Sequence, residues 1–188
     1  MKASDPLGTM LGVVGMGDIG VRIAKKAVMG LGMEVCYYNR KRDLKREEQV
    51  GGAVRYCESL EELLRISDCV VLACPYTPAT HHMLSTEEFK LTKEGGMRIV
   101  NIARGQLIDE AALLQAMKDG SVVGVGLDVH ENEPGINEGW KDNYMATVLP
   151  HIGVCSRTSW EGFEKVCWDN AEAFFDTGKP LTHVNSIP

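Results

Sequence analysis

Three glycines follow the first apolar run of the chain, and their spacing constrains the fold more than any other feature. In the segment LGVVGMGDIG they are Gly15, Gly17 and Gly20. The run before them, TMLGVVG, is a strand candidate, and residues 18–29 repeat apolar side chains at helical spacing. A strand, a glycine turn and a helix in this order begin a βαβ unit, in which Gly15 permits the tight turn and Gly20 lets the helix pack closely. The predicted apolar face of that helix comprises Ile19, Ile23, Ala24, Ala27 and Val28.

The rest of the chain alternates short apolar runs with helical patterns. Strands are predicted at MEVCYY, GAVRYC, CVVLAC, MRIVNIA, SVVGVGLDV and ATVLP, and helices at SLEELLRI, STEEFKL and DEAALLQAMKDG. Ser59 with Glu62 predicts a capping box, while Asp109 and Gly120 bound the third of these helices. A last helix carries apolar residues at three- and four-residue steps: Trp160, Phe163, Val166, Cys167, Ala171 and Phe174. This order predicts an α/β fold, a doubly wound parallel sheet with helices on both faces.

Composition and charge exclude several classes of function. The 188 residues carry a formal net charge of −6 at pH 7, a balance that disfavours a nucleic-acid partner. No stretch is long and apolar enough to predict a membrane span, and the N-terminus lacks the pattern of a secretory signal. The six cysteines form no Cys-x-x-Cys pair, so we predict no metal site and a reducing, cytoplasmic setting.

The glycine turn and the end of the second strand together predict the ligand. Gly17 lets a pyrophosphate approach the backbone, and the following helix offers N–H groups to it, which predicts a dinucleotide. About twenty residues on, where an acid would accept hydrogen bonds from the ribose of NAD, the chain has Asn39 and Arg40. The amide removes the repulsion of a 2′-phosphate, and the guanidinium matches phosphate geometry. We therefore predict NADP as the preferred cofactor, with NAD possible; the alternative is a plain basic loop.

Polar residues end three further predicted strands, where ligands bind in such sheets. Arg104 follows MRIVNIA, three acids (Asp128, Glu131 and Glu133) follow SVVGVGL, and His151 follows ATVLP. A histidine, a carboxylate and an arginine at a nucleotide crevice indicate hydride chemistry on a carbonyl. The histidine would protonate the carbonyl oxygen, the carboxylate would favour the charged imidazole, and the arginine would bind a substrate carboxylate.

The chain resembles the D-isomer-specific 2-hydroxyacid dehydrogenases, and nearly all of it matches their cofactor-binding domain. The matching motifs are GVVGMGDIG, VVLACPYTPATHHML, IVNIARGQLIDEAAL, GVGLDVHENEP and LPHIG. The details resemble a branch of glyoxylate and hydroxypyruvate reductases that prefers NADPH, including fungal members. The resemblance implies that Arg104 binds the substrate, that His151 is the acid–base group and that Glu133 is its partner. It further implies cofactor contacts at Asp18, Ile19, Cys74, Pro75, Thr80, Ile102, Ala103, Arg104, Asp128, His151 and Gly153.

The same resemblance sets limits on the expected activity. Family members carry a second, N-terminal domain that closes over the crevice, and residues 1–188 correspond to the dinucleotide-binding domain alone. Without closure, water is not excluded, so we expect this chain to bind the cofactor yet be weak or inactive as an enzyme. A homodimer is plausible by resemblance, and the identity of the 2-keto acid is left open. Val154 and Cys155 depart from the small or hydroxyl residues that often follow the histidine motif.

Other interpretations predict different roles for the same residues. A nucleotide-sensing module resembling the family's corepressors would keep the fold and triad without turnover. Formate oxidation is disfavoured, because that branch has an amide where Glu133 stands. Glu131 is predicted to be a solvated loop acid. The remaining histidines are predicted to lie on the surface: His81, His82, His130 and His183.

Overall fold

The computed structural model describes residues 5–183 and has a single seven-stranded parallel sheet. The strands are β1 (Met10–Val14), β2 (Glu34–Tyr38), β3 (Val54–Cys57), β4 (Cys69–Leu72), β5 (Met97–Asn101), β6 (Val122–Leu127) and β7 (Ala146–Val148). The helices are α1 (Asp18–Leu31), α2 (Leu44–Val50), α3 (Leu60–Ile66), α4 (Thr86–Phe89), α5 (Glu110–Asp119) and α6 (Arg157–Thr177). Single 3₁₀ turns cover Pro78–Thr80, Gly105–Leu107 and Glu138–Trp140.

The strand order is β3-β2-β1-β4-β5-β6-β7, and every neighbouring pair is parallel. The chain winds outward from β1 in one direction and then returns to place β4 on the other side of β1. This reversal is the topological switch point at which open α/β sheets form a ligand crevice. The predicted doubly wound fold is confirmed.

Hydrophobic cores cover both faces of the sheet. Alternation along β2 sends Val35 and Tyr37 into the core that includes α1, and Cys36 into the core that includes α3 and α5. Strands buried on both faces explain why CVVLAC reads as a continuous apolar run rather than an alternating one.

The predicted N-cap residues of two helices form the expected hydrogen bonds. The Ser59 hydroxyl accepts a hydrogen bond from the main-chain N–H of Glu62, and the Asp109 carboxylate accepts one from Ala112. The reciprocal half of the predicted box differs, since the Glu62 carboxylate accepts from the N–H of Glu58 rather than Ser59. Helix α2 was not predicted, because this charged helix buries only Val50 and its apolar residues have no helical period.

The chain divides into two compact units, one ending at His151 and one beginning at Ile152. The second contains α6, whose predicted apolar stripe is largely exposed, with Trp160, Phe163, Val166 and Phe174 each more than half accessible. None of the described residues of α6 is buried. In residues 5–183 no helix combines the length and apolar character needed to cross a membrane.

Candidate functional site

Most of the predicted site residues follow the carboxyl ends of six parallel strands. The glycine turn follows β1, Asn39 follows β2 and the segment 73–76 follows β4. The remaining segments are 102–104 after β5, 128–133 after β6 and 149–151 after β7. The sheet order therefore places the predicted cofactor segments around the switch point and the predicted acid–base segments on the outer strands.

In the glycine turn, Gly15 and Gly20 are in close backbone contact, whereas the space around Gly17 is open. Gly15 has a φ of 100°, and a Cβ on Gly20 would lie 2.1 Å from the Gly15 carbonyl oxygen. A Cβ on Gly17 would meet no atom within 4 Å. Gly17 begins α1 with no side-chain cap, which leaves the first-turn N–H groups to a ligand. These features fit a dinucleotide pyrophosphate at the turn.

The basic loop after β2 is tied to the glycine turn. The Asn39 side-chain oxygen accepts the main-chain N–H of Met16 at 2.9 Å, and Arg46 forms an ion pair with Asp18. The Arg42 guanidinium forms two hydrogen bonds with Glu47, at 2.8 and 3.0 Å. Arg40 is exposed beside it.

A cavity of about 380 Å³ opens between the ends of β1, β4 and β5. Two of its lining residues, Ala73 and Tyr76, were not predicted. The other six were: Ile19, Cys74, Pro75, Ile102, Ala103 and Arg104. Ile19 was assigned to the apolar face of α1; it is 59% exposed, because its side chain turns toward this cavity instead of the core. The Thr80 hydroxyl bonds within its own turn, to Thr77 and Pro75.

His151 and Glu133 form a hydrogen-bonded pair. His151 Nδ1 lies 2.8 Å from Glu133 Oε2, and the other carboxylate oxygen accepts the main-chain N–H of His130 at 2.9 Å. The bond from His151 is the main cause that lowers the pKa of the Glu133 carboxyl, and burial opposes it. An ionised Glu133 accepts, so Nδ1 of His151 donates and Nε2 is left for proton exchange.

The backbone at His151 has a φ of 55°. A residue other than glycine in this region stores strain, which is typical of functional sites. The strain supports the interpretation of His151 as a site residue rather than a core histidine.

Arg104 and Asp128 differ in their surroundings. Arg104 is exposed at the cavity, and its Nη1 donates to the Ala103 carbonyl at 2.6 Å. Asp128 is 8% exposed, and its main-chain N–H donates to the Asn101 carbonyl at the end of β5. Gly153 belongs to the second compact unit, whereas the other predicted site residues belong to the first.

Three residues predicted to face solvent, His82, His130 and Glu131, instead belong to a polar cluster with Glu110. Glu131 binds His82 Nε2 at 2.7 Å, and its main-chain N–H donates to Glu110 at 2.9 Å. His130 was expected on the surface but is only 6% exposed. Glu110, itself buried, also accepts the indole N–H of Trp140. No sequence motif signalled this cluster, because its partners come from α5, the β6–β7 connection and the segment before α4.

The surface histidine prediction holds for His81 and His183, which are exposed. Over residues 5–183, no group of three His, Cys, Asp or Glu side chains is placed to hold a metal ion.

Comparisons with known proteins identify relatives of the whole chain. The family model of the D-isomer-specific 2-hydroxyacid dehydrogenase NAD-binding domain matches residues 1–153. A glyoxylate reductase of Thermococcus kodakarensis is 41% identical over 181 residues, which are 96% of this chain and 53% of that protein.

Solved structures agree with the sequence relatives. The holo form of Rhodotorula graminis D-mandelate dehydrogenase has a TM-score of 0.92 and 40% identity, over 99% of this chain and 54% of that one. An NADPH-dependent glyoxylate/hydroxypyruvate reductase of Sinorhizobium meliloti, in complex with NADP and malonate, has a TM-score of 0.84 and 28% identity, over 93% and 52%. The chain spans about half the length of the relatives that it matches.

Proposed function

Because the chain belongs to the D-isomer-specific 2-hydroxyacid dehydrogenases, we propose that it carries the cofactor site and acid–base pair of a reductase that converts a small 2-keto acid into a D-2-hydroxy acid. The observation that carries the proposal is the hydrogen bond of 2.8 Å between His151 and Glu133 on neighbouring strand ends.

A bound nicotinamide cofactor would supply the hydride to the carbonyl carbon, while side chains of this chain would bind the substrate and transfer the proton. Glu133 holds His151 by Nδ1, so that Nε2 gives its proton to the carbonyl oxygen as the hydroxyl forms. In the reverse direction the same nitrogen takes the proton back. Arg104, exposed at the cavity, binds the carboxylate of the substrate and polarises its carbonyl.

We propose NADPH as the preferred cofactor, with NADH as a weaker alternative. Asn39 places no negative charge near a 2′-phosphate, and its oxygen is already occupied by the N–H of Met16. Arg42 is paired with Glu47, so we propose Arg40, which directly follows Asn39, as the cation that binds the phosphate. The S. meliloti relative, described as NADPH-dependent, is consistent with this preference.

The substrate is proposed only as a class. Relatives are described as reducing glyoxylate or as D-mandelate dehydrogenases, so the side chain of the acid varies widely among proteins of this similarity.

We propose that residues 1–188 act as the dinucleotide-binding domain, and that alone they bind the cofactor but turn over keto acids slowly. The family resemblance also supports a homodimer, which light scattering of the purified chain tests.

A fluorescence titration with NADPH and with NADH tests the cofactor proposal. Replacing Arg40 with alanine should weaken NADPH binding by about 10- to 100-fold, the range for a charge-assisted hydrogen bond, and leave NADH binding unchanged. Arg42→Ala is the matched control, because it removes an equal charge that already has a partner. Equal losses in the two variants, or none with Arg40→Ala, would refute the role of Arg40.

Reduction of glyoxylate and hydroxypyruvate tests the catalytic proposal. His151→Gln should lower the rate by about 10²- to 10⁴-fold, the usual contribution of an acid–base group, while NADPH still binds. A variant that keeps the wild-type rate would exclude His151 as the proton donor.

A further inference from the structure

We propose that His130 is a positioning residue that holds both members of the acid–base pair, one through its main chain and the other through its ring. The inference rests on the proposed function for its meaning, but its geometry and its test concern only the orientation of His151.

The main-chain contact fixes Glu133. The N–H of His130 donates to Glu133 Oε1 at 2.9 Å, while Oε2 receives the bond from His151. Both carboxylate oxygens are therefore engaged, and the plane of the carboxylate cannot rotate without loss of one bond.

The ring contact fixes the segment that carries His151. His130 Nε2 lies 2.9 Å from the carbonyl oxygen of Leu149, and since a carbonyl only accepts, Nε2 carries the proton. The N–H of Leu149 donates to Leu127 at the end of β6 at 2.8 Å. Leu149 is thus bound on both sides, two residues before His151.

The surroundings of the other ring nitrogen favour this single orientation. Among residues 5–183, Nδ1 of His130 is buried and has no hydrogen-bond partner, and Glu110 Oε1 lies 3.9 Å from it. A ring flip would turn Nε2 away from Leu149 and give up the bond. A purely packing residue would need no nitrogen at this position, since phenylalanine has a similar volume.

The consequence is a defined tautomer at His151. When Leu149 is held, Nδ1 of His151 faces Glu133 and carries the proton, so Nε2 is free to exchange with a substrate. Without the hydrogen bond from the His130 ring, Leu149 keeps only its bond to Leu127, and the imidazole of His151 is free to move away from Glu133.

Nitrogen NMR of the histidine rings in this chain tests the inference without any need for turnover. Long-range proton–nitrogen spectra, recorded well above the ordinary titration range of imidazole, distinguish Nδ1–H from Nε2–H. In the wild type we expect Nε2–H at His130 and Nδ1–H at His151. An Nδ1–H tautomer at His130 would overturn the proposal with no variant needed.

Variants then separate positioning from packing. His130→Phe keeps a planar aromatic ring, slightly larger than imidazole, and removes the donor, so His151 should lose its predominant Nδ1–H form. His130→Gln keeps an N–H near the position of Nε2 and should restore that form. His82→Phe, which breaks only the bond to Glu131, is the matched control and should leave His151 unchanged.

An unchanged His151 tautomer in a folded His130→Phe variant would refute the positioning role. If the wild type bound neither NADPH nor NADH while the tautomer responded as expected, the proposed function would be refuted and the positioning role would stand.

Discussion

His151 and Glu133 share a hydrogen bond of 2.8 Å, although 18 residues separate them along the chain. The bond is partly exposed, so solvent screens it, and its chief effect is on protonation. It lowers the pKa of the Glu133 carboxyl from the ordinary value of 4.5.

This shift predicts how stability depends on pH. A carboxyl whose pKa is lower in the folded state stabilises the fold at pH values above 4.5, and the contribution is lost as the pH falls through the folded pKa. We expect Glu133→Gln to be slightly less stable than the wild type at pH 7 and to converge with it in acid. Urea unfolding at several pH values checks this, and a constant difference between the two curves would contradict it.

A substitution at Gly17 should affect cofactor binding but not the stability of the fold. A Cβ at this position meets no atom within 4 Å, so Gly17→Ala should change the free energy of unfolding by less than about 0.5 kcal/mol. If the pyrophosphate lies against the backbone here, the added methyl group should weaken NADPH binding by about 10- to 100-fold, through an overlap worth about 1–3 kcal/mol. Gly30→Ala, also open but at the far end of α1, is the control and should bind normally.

A substitution at Gly105 should, in contrast, destabilise the fold. A Cβ here would lie 1.9 Å from the carbonyl carbon of His130 and 2.3 Å from the nitrogen of Glu131. Gly105→Ala must therefore push the turn after Arg104 away from the segment that leads to Glu133, and we expect a loss of about 1–3 kcal/mol or more in unfolding free energy. Chemical denaturation measures it, and a variant as stable as the wild type would show that the two segments separate freely.

What the sequence could predict was mostly local. The caps at Ser59 and Asp109 involve residues three positions apart, so their chemistry is visible in the order of letters. The parallel strands and the glycine turn follow from apolar runs and spacing for the same reason.

The errors arose from contacts between distant segments. Ile19 fits a helical stripe, yet it sits at the switch point, where the crevice replaces the core. Glu131 was predicted to be a solvated loop acid and His130 a surface residue, because Glu110, which lies against both, comes from the distant helix α5. The letters NRKR also do not reveal that Glu47 lies beside Arg42 and pairs with it.

The hydrogen bond from Met16 to the side chain of Asn39 also has a consequence for how the cofactor preference could change. Aspartate has the same shape as asparagine and keeps an oxygen where Met16 needs an acceptor. One exchange of an amide nitrogen for an oxygen would therefore introduce the charge that repels a 2′-phosphate without disturbing the turn. In related chains, that exchange together with the loss of one neighbouring cation would change the preference from NADP to NAD while the backbone of the turn stays the same.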